Sequence, residues 1–260
     1  LCSLANATHD ETSAQGTEDF MSWSFNYWQY TDSFVYWSGS EEGLICLPTG
    51  EFTDAAHTNG VPVVATLGFP WGTGDGYVEE VSAFCQKAAD GSFPVADKMI
   101  ELMDYYGFDG YFFNQESYGC NSEIATRLNE MIHYMRAKRP DMLISWYDSM
   151  TYPGGNVSYQ DSINDTNKGW MEKGADGSVG INEFFLNYNW NDSKVATTIE
   201  TMNSIGRNQF DAFAGLDVQQ NGMNTAFRDH QLLDEDGKLK LSMALYCPNS
   251  TLGNSTSGAN

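Results

Sequence analysis

Short apolar or β-branched runs recur along the chain, separated by longer stretches in which apolar residues fall three and four positions apart. Eight of the runs read as strands: Leu1–Leu4, Ser33–Trp37, Val61–Leu67, Tyr111–Phe113, Leu143–Trp146, Phe184–Leu186, Ala212–Leu216 and Ser242–Tyr246. Several are continuously apolar rather than alternating, which is the pattern of parallel strands covered on both faces. The spacing of Ile124, Leu128, Met131, Ile132 and Met135 predicts a helix over Ser122–Arg139, closed by basic residues and stopped by Pro140. Pro94–Tyr106 has the same character, with Gly107 placed as a C-cap. A third helix, Asp192–Ile205, starts at an Asp192 or Ser193 cap and ends before Gly206. Asp54–Thr58 reads as a helical turn, and Asp236-Gly237 as a tight turn between Leu233 and the run from Leu239.

Alternation of strands and helices with eight strands predicts a (β/α)8, or TIM, barrel filling residues 1–260 as one domain. Pro153–Gly180 is rich in Gly, Asn, Asp and Ser and predicts a long loop after the fifth strand. Loops at that end of a barrel build active sites. No helical pattern follows the eighth strand, and the tail Ser250–Asn260 is rich in Ser, Thr, Gly and Asn. Together with the opening at Leu1, this reads as an excised core, cut near both ends.

Charge removes several classes of partner. Lys plus Arg is 13 against 35 for Asp plus Glu, a net −22 at pH 7. Such a chain repels nucleic acid and anionic lipid, so neither is expected as a partner. No apolar run approaches the roughly eighteen residues a membrane span needs. The 15 Phe, 14 Tyr and 7 Trp exceed what a core requires, and in an acidic protein they suggest a sugar-binding cleft. The five cysteines are odd in number and lack C-x-x-C spacing, so buried thiols are expected rather than a zinc knuckle or a disulfide framework. The four histidines have no ligand spacing: His57 reads as a helix-end cap and His133 as a surface residue. Gly72-Thr73-Gly74-Asp75-Gly76 lacks the lysine and helix of a phosphate loop. Neither metal nor cofactor is expected.

The most informative segment is Tyr105-Tyr106-Gly107-Phe108-Asp109-Gly110-Tyr111-Phe112-Phe113-Asn114-Gln115-Glu116. A helix ends, a turn follows, and an apolar strand closes on Asn-x-Glu. Side chains alternate along a strand, so Asn114 and Glu116 share a face and project at the C-terminal rim of the fourth strand. A lone Glu there is either a catalytic acid or a local salt-bridge partner. Trp37, Trp71 and Trp190 fall at or just past strand ends, as stacking surfaces for a sugar or as packing residues. Asn187, Asn189 and Asp148 are polar groups placed to accompany them.

Three blocks resemble glycoside hydrolase family 85, the endo-β-N-acetylglucosaminidases acting on N-glycans. They are Phe25-Asn26-Tyr27-Trp28-Gln29-Tyr30 running into Phe34-Val35-Tyr36-Trp37; Ala55-Ala56-His57-Thr58-Asn59-Gly60-Val61-Pro62-Val63 leading to Trp71; and Gly91-Ser92-Phe93-Pro94-Val95-Ala96-Asp97-Lys98 leading to Asn114-Gln115-Glu116. Weaker echoes follow at Trp146-Tyr147-Asp148-Ser149, Asn187-Tyr188-Asn189-Trp190 and Leu245-Tyr246.

The resemblance implies retaining, substrate-assisted hydrolysis through an oxazoline, with transglycosylation as a side reaction. Glu116 would be the acid and base, Asn114 would hold the 2-acetamido group, and Tyr147 would contact it with its hydroxyl. It places Trp190 and, more weakly, Tyr159 against the sugar. It implies an N-linked glycan or glycoprotein as partner. A monomer is expected, and an acidic chain with no anchor and a glycan substrate outside the cell reads as secreted or cell-surface, with the cytoplasm as the alternative that unpaired cysteines favour. The chain departs from the family in lacking β-sandwich modules and in Asp217-Val218-Gln219-Gln220 at the seventh strand. The rival reading is a family 18 chitinase-like barrel, which ends this strand in Asp-x-Asp-x-Glu; here Phe112 and Asn114 stand in place of the two aspartates. A non-catalytic glycan-binding barrel is the third reading, opposed by the presence of Glu116, Asn114 and Tyr147.

Overall fold

The computed structural model describes residues 2–3, 25–37, 44–222 and 229–248. Its strands are β1 (Cys2–Ser3), β2 (Phe34–Tyr36), β3 (Ile45–Cys46), β4 (Val63–Gly68), β5 (Gly110–Asn114), β6 (Leu143–Tyr147), β7 (Glu183–Leu186), β8 (Ala212–Asp217) and β9 (Ser242–Tyr246). Its helices are α1 (Gly50–Thr58), α2 (Tyr77–Phe84), α3 (Pro94–Tyr106), α4 (Ser122–Lys138), α5 (Asp192–Ser204), α6 (Val218–Asn221) and α7 (Asp229–Leu232). Apart from that of β3, every pairing between these strands is parallel. The ring runs β1-β2-β4-β5-β6-β7-β8-β9 and returns to β1 through Cys2 and Leu245. The eight-stranded barrel expected from the pattern is therefore the fold.

Several short elements are not legible in the pattern, among them β3, α2, α6 and α7. β3 runs antiparallel to β4, pairing Ile45 with Leu67 and Cys46 with Thr66. It takes the edge of β4 beyond the point where β2, which pairs only with Val63–Ala65, stops. Helix α2 follows the glycine-rich stretch directly, from Gly76 in the left-handed region, and is too short to show a helical period. The tail Ser250–Asn260, the opening Ala5–Asp10 and all but Cys2–Ser3 of the expected first strand lie outside the described residues.

Helices α3, α4 and α5 form where expected, while α1 is longer than the turn expected at Asp54–Thr58, starting at Gly50 behind the Thr49 cap. Asn121 Oδ1 caps α4 by accepting from Ile124 N at 3.1 Å, and its five spaced apolar residues are buried. α3 begins on Pro94 and ends on Gly107, whose φ of 78° suits the C-cap. α5 is capped by Asn191, not by Asp192 or Ser193: its side chain accepts from Lys194 N at 3.1 Å. His57 is not a cap either. Its Nε2 meets Asp109 Oδ2 at 2.8 Å, while Asn59 Nδ2 donates to Ala55 O at the helix end. His133 is half-buried rather than a surface residue; Gly180 closes over its ring, and burial pulls its pKa below the usual histidine value. Cys46, Cys85, Cys120 and Cys247 are buried thiols, as expected.

Alternation along the strands divides the core in two. Val35, Val64, Phe112, Tyr147, Phe185 and Phe213 cluster inside the barrel, while Val63, Tyr111, Phe113, Trp146 and Phe184 face the outer layer. Between β6 and β7 no α-helix forms. Residues 148–182 make the long loop instead, and Trp170 pins it: this fully buried indole stacks on Trp146 at 4.0 Å and donates to Met150 O at 2.7 Å. The loop is thereby held over the C-terminal ends of the strands.

Candidate active site

Gly110 starts β5 because nothing larger fits: a Cβ there would lie 1.8 Å from Leu143 O of the neighbouring strand. The strand then alternates Tyr111 and Phe113 outward with Phe112 and Asn114 inward. Beyond its end, the chain stays bound to the loop after β4. Phe69 N donates to Asn114 O, and Gly72 N to Glu116 O, both at 3.0 Å. Glu116 is thus fixed at the mouth of the barrel although it lies outside the strand.

There, Asn114 Nδ2 donates to Glu116 Oε2 at 2.9 Å, and Tyr159 from the long loop donates to Glu116 Oε1 at 2.6 Å. Tyr147, at the end of β6, donates to Asn187 Oδ1 at 2.9 Å. Burial, with the Tyr188 ring and the Glu116 carboxylate nearby, raises the Tyr147 hydroxyl well above its usual pKa. Burial and then the bond to Glu116 raise Tyr159 likewise. Both phenols therefore act as hydrogen-bond donors at any ordinary working pH.

Asn114, Glu116, Tyr147, Trp37 and Trp71 line one cavity of about 260 Å³. Trp37 forms a wall, edge-on to Phe112 at 6.0 Å and to Tyr246 at 5.6 Å. Trp71 stands at the rim, 65% exposed. The structure thus gathers the expected Asn-x-Glu pair, Tyr147, Tyr159, Trp37 and Trp71 at one mouth, with Asn187 held behind Tyr147.

Two expected sugar contacts are placed elsewhere. Trp190 is 1% exposed, and its indole donates to Gly215 O at 2.8 Å, so it packs beneath the rim instead of stacking. Asp148 is also 1% exposed and anchors the loop. Its carboxylate accepts from Asp161 N at 2.5 Å, Gln160 N at 3.2 Å and Asn167 Nδ2 at 3.0 Å. These bonds fix the residues just after Tyr159. Burial pushes Asp148 up to about 7, against the pull of those donors.

Sequence reasoning missed Phe185, Tyr188, Asp217, Gln219, Gln220 and Tyr246 as lining residues. Asp217 and Tyr246 are the last residues of β8 and β9, a position that could have marked them. Tyr188 sits on a connection and the glutamines on the short helix α6, whose courses only the folded chain fixes. Among the described residues no group of His, Cys, Asp and Glu could hold a metal ion, and no helix is long and apolar enough to cross a membrane.

A parallel eight-stranded barrel with a carboxylate–amide pair at the C-terminal ends of its strands defines a barrel of the glycoside hydrolase class. Residues 6–260 match the model of Glycosyl hydrolase family 85, and the chain belongs to that family. The glycoside hydrolase domain of Endo-D from Streptococcus pneumoniae R6 superposes with a TM-score of 0.86 at 37% identity, covering 96% of this chain and 39% of that one. The cytosolic endo-beta-N-acetylglucosaminidase of Mus musculus is 28% identical over 243 residues, 90% of this chain and 30% of that protein. Cytosolic endo-beta-N-acetylglucosaminidase 2 of Arabidopsis thaliana is 30% identical over 213 residues, 80% and 28% respectively. The chain thus spans about 30% of the length of these curated relatives. The family 18 chitinase ChiB of Flavobacterium johnsoniae, with a TM-score of 0.51 at 7% identity, shares the fold alone.

Proposed function

We propose that the protein is an endo-β-N-acetylglucosaminidase that cleaves the β-1,4 bond of the N,N′-diacetylchitobiose core of N-linked glycans, leaving one GlcNAc on the asparagine. The observation that carries this reading is the contact of Asn114 Nδ2 with Glu116 Oε2 at 2.9 Å inside an aromatic-walled cavity. A lone carboxyl beside an amide suits a reaction in which the substrate supplies its own nucleophile. The 2-acetamido oxygen attacks the anomeric carbon while Glu116 protonates the leaving oxygen, giving an oxazoline. Glu116 then takes a proton from water, which opens the oxazoline with net retention. With its nitrogen committed to Glu116, Asn114 offers Oδ1 to the acetamide N–H and steadies the positive charge growing there. Tyr147 reaches the same group from β6, and Tyr159 keeps Glu116 aimed into the cavity. A GlcNAc hydroxyl in place of water would give transglycosylation.

Phe112 lines the cavity where a chitinase of the Asp-x-Asp-x-Glu type carries an aspartate, which favours the N-glycan reading over chitin cleavage. The curated relatives are named cytosolic, and this together with the absence of a disulfide among the described residues supports the cytoplasmic location over the exported one.

The test is release of intact glycan from a high-mannose glycopeptide. Glu116→Gln should lower turnover by about 10²–10⁴-fold, the usual contribution of an acid–base group, with the fold retained. Near-normal release by that variant would remove Glu116 from the mechanism.

A further inference from the structure

We infer that Trp71 and Tyr118 form the platform for the leaving half of the substrate, the GlcNAc that stays on asparagine and that also serves as acceptor in the reverse direction. The inference rests on the endoglycosidase reading above and assigns the side of the site that reading leaves open.

Glu116 has two faces. Its Oε2 meets Asn114 within the barrel mouth, where the ring being cleaved must place its acetamide. Its Oε1 meets Tyr159 on the rim side. Trp71 belongs to that second side: it lines the cavity with Glu116, the next residue's N–H is bonded to Glu116 O, and its indole lies near enough to the Tyr159 hydroxyl to oppose the upward shift of that phenol. The glycosidic oxygen that receives the proton lies at Glu116, so the sugar beyond it meets Trp71.

The platform is exposed and rigid together. Trp71 is 65% exposed and tilted 58° to the Tyr118 ring at 6.4 Å. On either side of Trp71 the chain is tied to the segment that bears Glu116. Ser117 Oγ donates to Pro70 O and Tyr118 N to Gly72 O, both at 2.7 Å, and Gly72 N donates to Glu116 O at 3.0 Å. An indole held this way loses little freedom when a sugar stacks on it. Its distance from the proton donor is set by backbone bonds.

Barrel order separates this side from the other. β8 lies four strands round the ring from β4, so Asp217, Gln219 and Gln220 face the cavity across from Trp71. Carboxylate and amide groups there suit the hydroxyl-rich glycan, and the aromatic pair suits a single GlcNAc with its apolar C–H face.

Two measurements test the assignment. The first titrates GlcNAc-asparagine into Glu116→Gln protein by saturation-transfer NMR. Adding Trp71→Ala should weaken binding about tenfold, the size of one good aromatic contact, while Trp71→Phe retains most of the affinity. The second supplies a saturating sugar oxazoline donor and varies a GlcNAc-peptide acceptor. Trp71→Ala should raise the acceptor KM by the same factor and move the donor KM less than twofold. Tyr105→Ala, an exposed tyrosine at the end of α3 and outside the cavity, should leave both at the wild-type value. Acceptor affinity within twofold of the parent, or a larger rise in donor KM than in acceptor KM, would overturn the platform. Should the oxazoline not be consumed by any form, the endoglycosidase reading fails, and the titration by itself decides the platform.

Discussion

Asn114 and Glu116 are two residues apart, bonded to each other and both in the cavity, yet the proposed chemistry asks different things of them. A preformed oxazoline arrives with the acetamide already closed. Asn114→Ala should therefore cut glycopeptide hydrolysis by at least about 10²-fold while transfer from oxazoline to a GlcNAc acceptor persists. Equal loss in both assays would reduce Asn114 to a general contact. Asp148, one residue beyond Tyr147, supports a different prediction. Burial lifts its folded pKa to about 7, above the ordinary carboxyl value. The folded state thus holds the proton more tightly than the unfolded chain. The stability this brings is full below about pH 4 and is lost as pH rises through about 7. Urea unfolding between those limits should show stability falling with pH in the wild type and a shallower fall in Asp148→Asn. Parallel profiles would mean that the N–H donors around the carboxylate cancel the effect of burial.

Among the elements, the loop at 148–182 replaces the helix that would join β6 to β7, and it brings Tyr159 to Glu116. Beside the Asp148 bonds, one buried indole holds it to the barrel. Trp170 is fully buried, stacked on Trp146 and bonded to Met150 O, so its removal leaves both a cavity and an unpaired carbonyl. Trp170→Ala should cost about 3–5 kcal/mol in denaturant unfolding. Loop packing carries less than this if the measured loss stays under about 1 kcal/mol. The pattern of the sequence announced a long loop here, rich in Gly, Asn, Asp and Ser. It did not reveal the anchor, because an isolated Trp inside a polar stretch has no period from which burial can be read. The same limit hid α2 and β3, each too short to repeat its period.

At the scale of the whole molecule, a net charge of −22 sets a field around a cavity that itself holds Glu116 and Asp217. Neutral high-mannose glycans are indifferent to it, whereas sialylated glycans are repelled. Raising ionic strength from about 0.01 M to 0.15 M shortens the screening length from about 30 Å to about 8 Å. The KM for a sialylated glycopeptide should fall over that range while the KM for a neutral one stays level. Parallel behaviour of the two substrates would show that the charge lies too far from the binding path to matter.

The barrel itself, the position of its parallel strands and the Asn114–Glu116 pair were determined by the sequence alone. Runs such as Val63–Gly68 are apolar on both faces, and a two-residue spacing puts two side chains on one face whatever surrounds them. What the tertiary structure decided was the fate of residues at strand ends and in loops. Trp37, Trp71 and Trp190 carry the same sequence signal, but one became a wall, one an exposed rim and one a packing residue bonded to Gly215. Asp148 turned from an expected sugar contact into a loop anchor, because strand alternation points it away from the face that Tyr147 shares with the cavity. Which side of a rim residue is filled by protein depends on contacts between segments distant in the chain, such as Trp71 with Tyr118 or Tyr159 with Glu116, and no local pattern encodes those contacts.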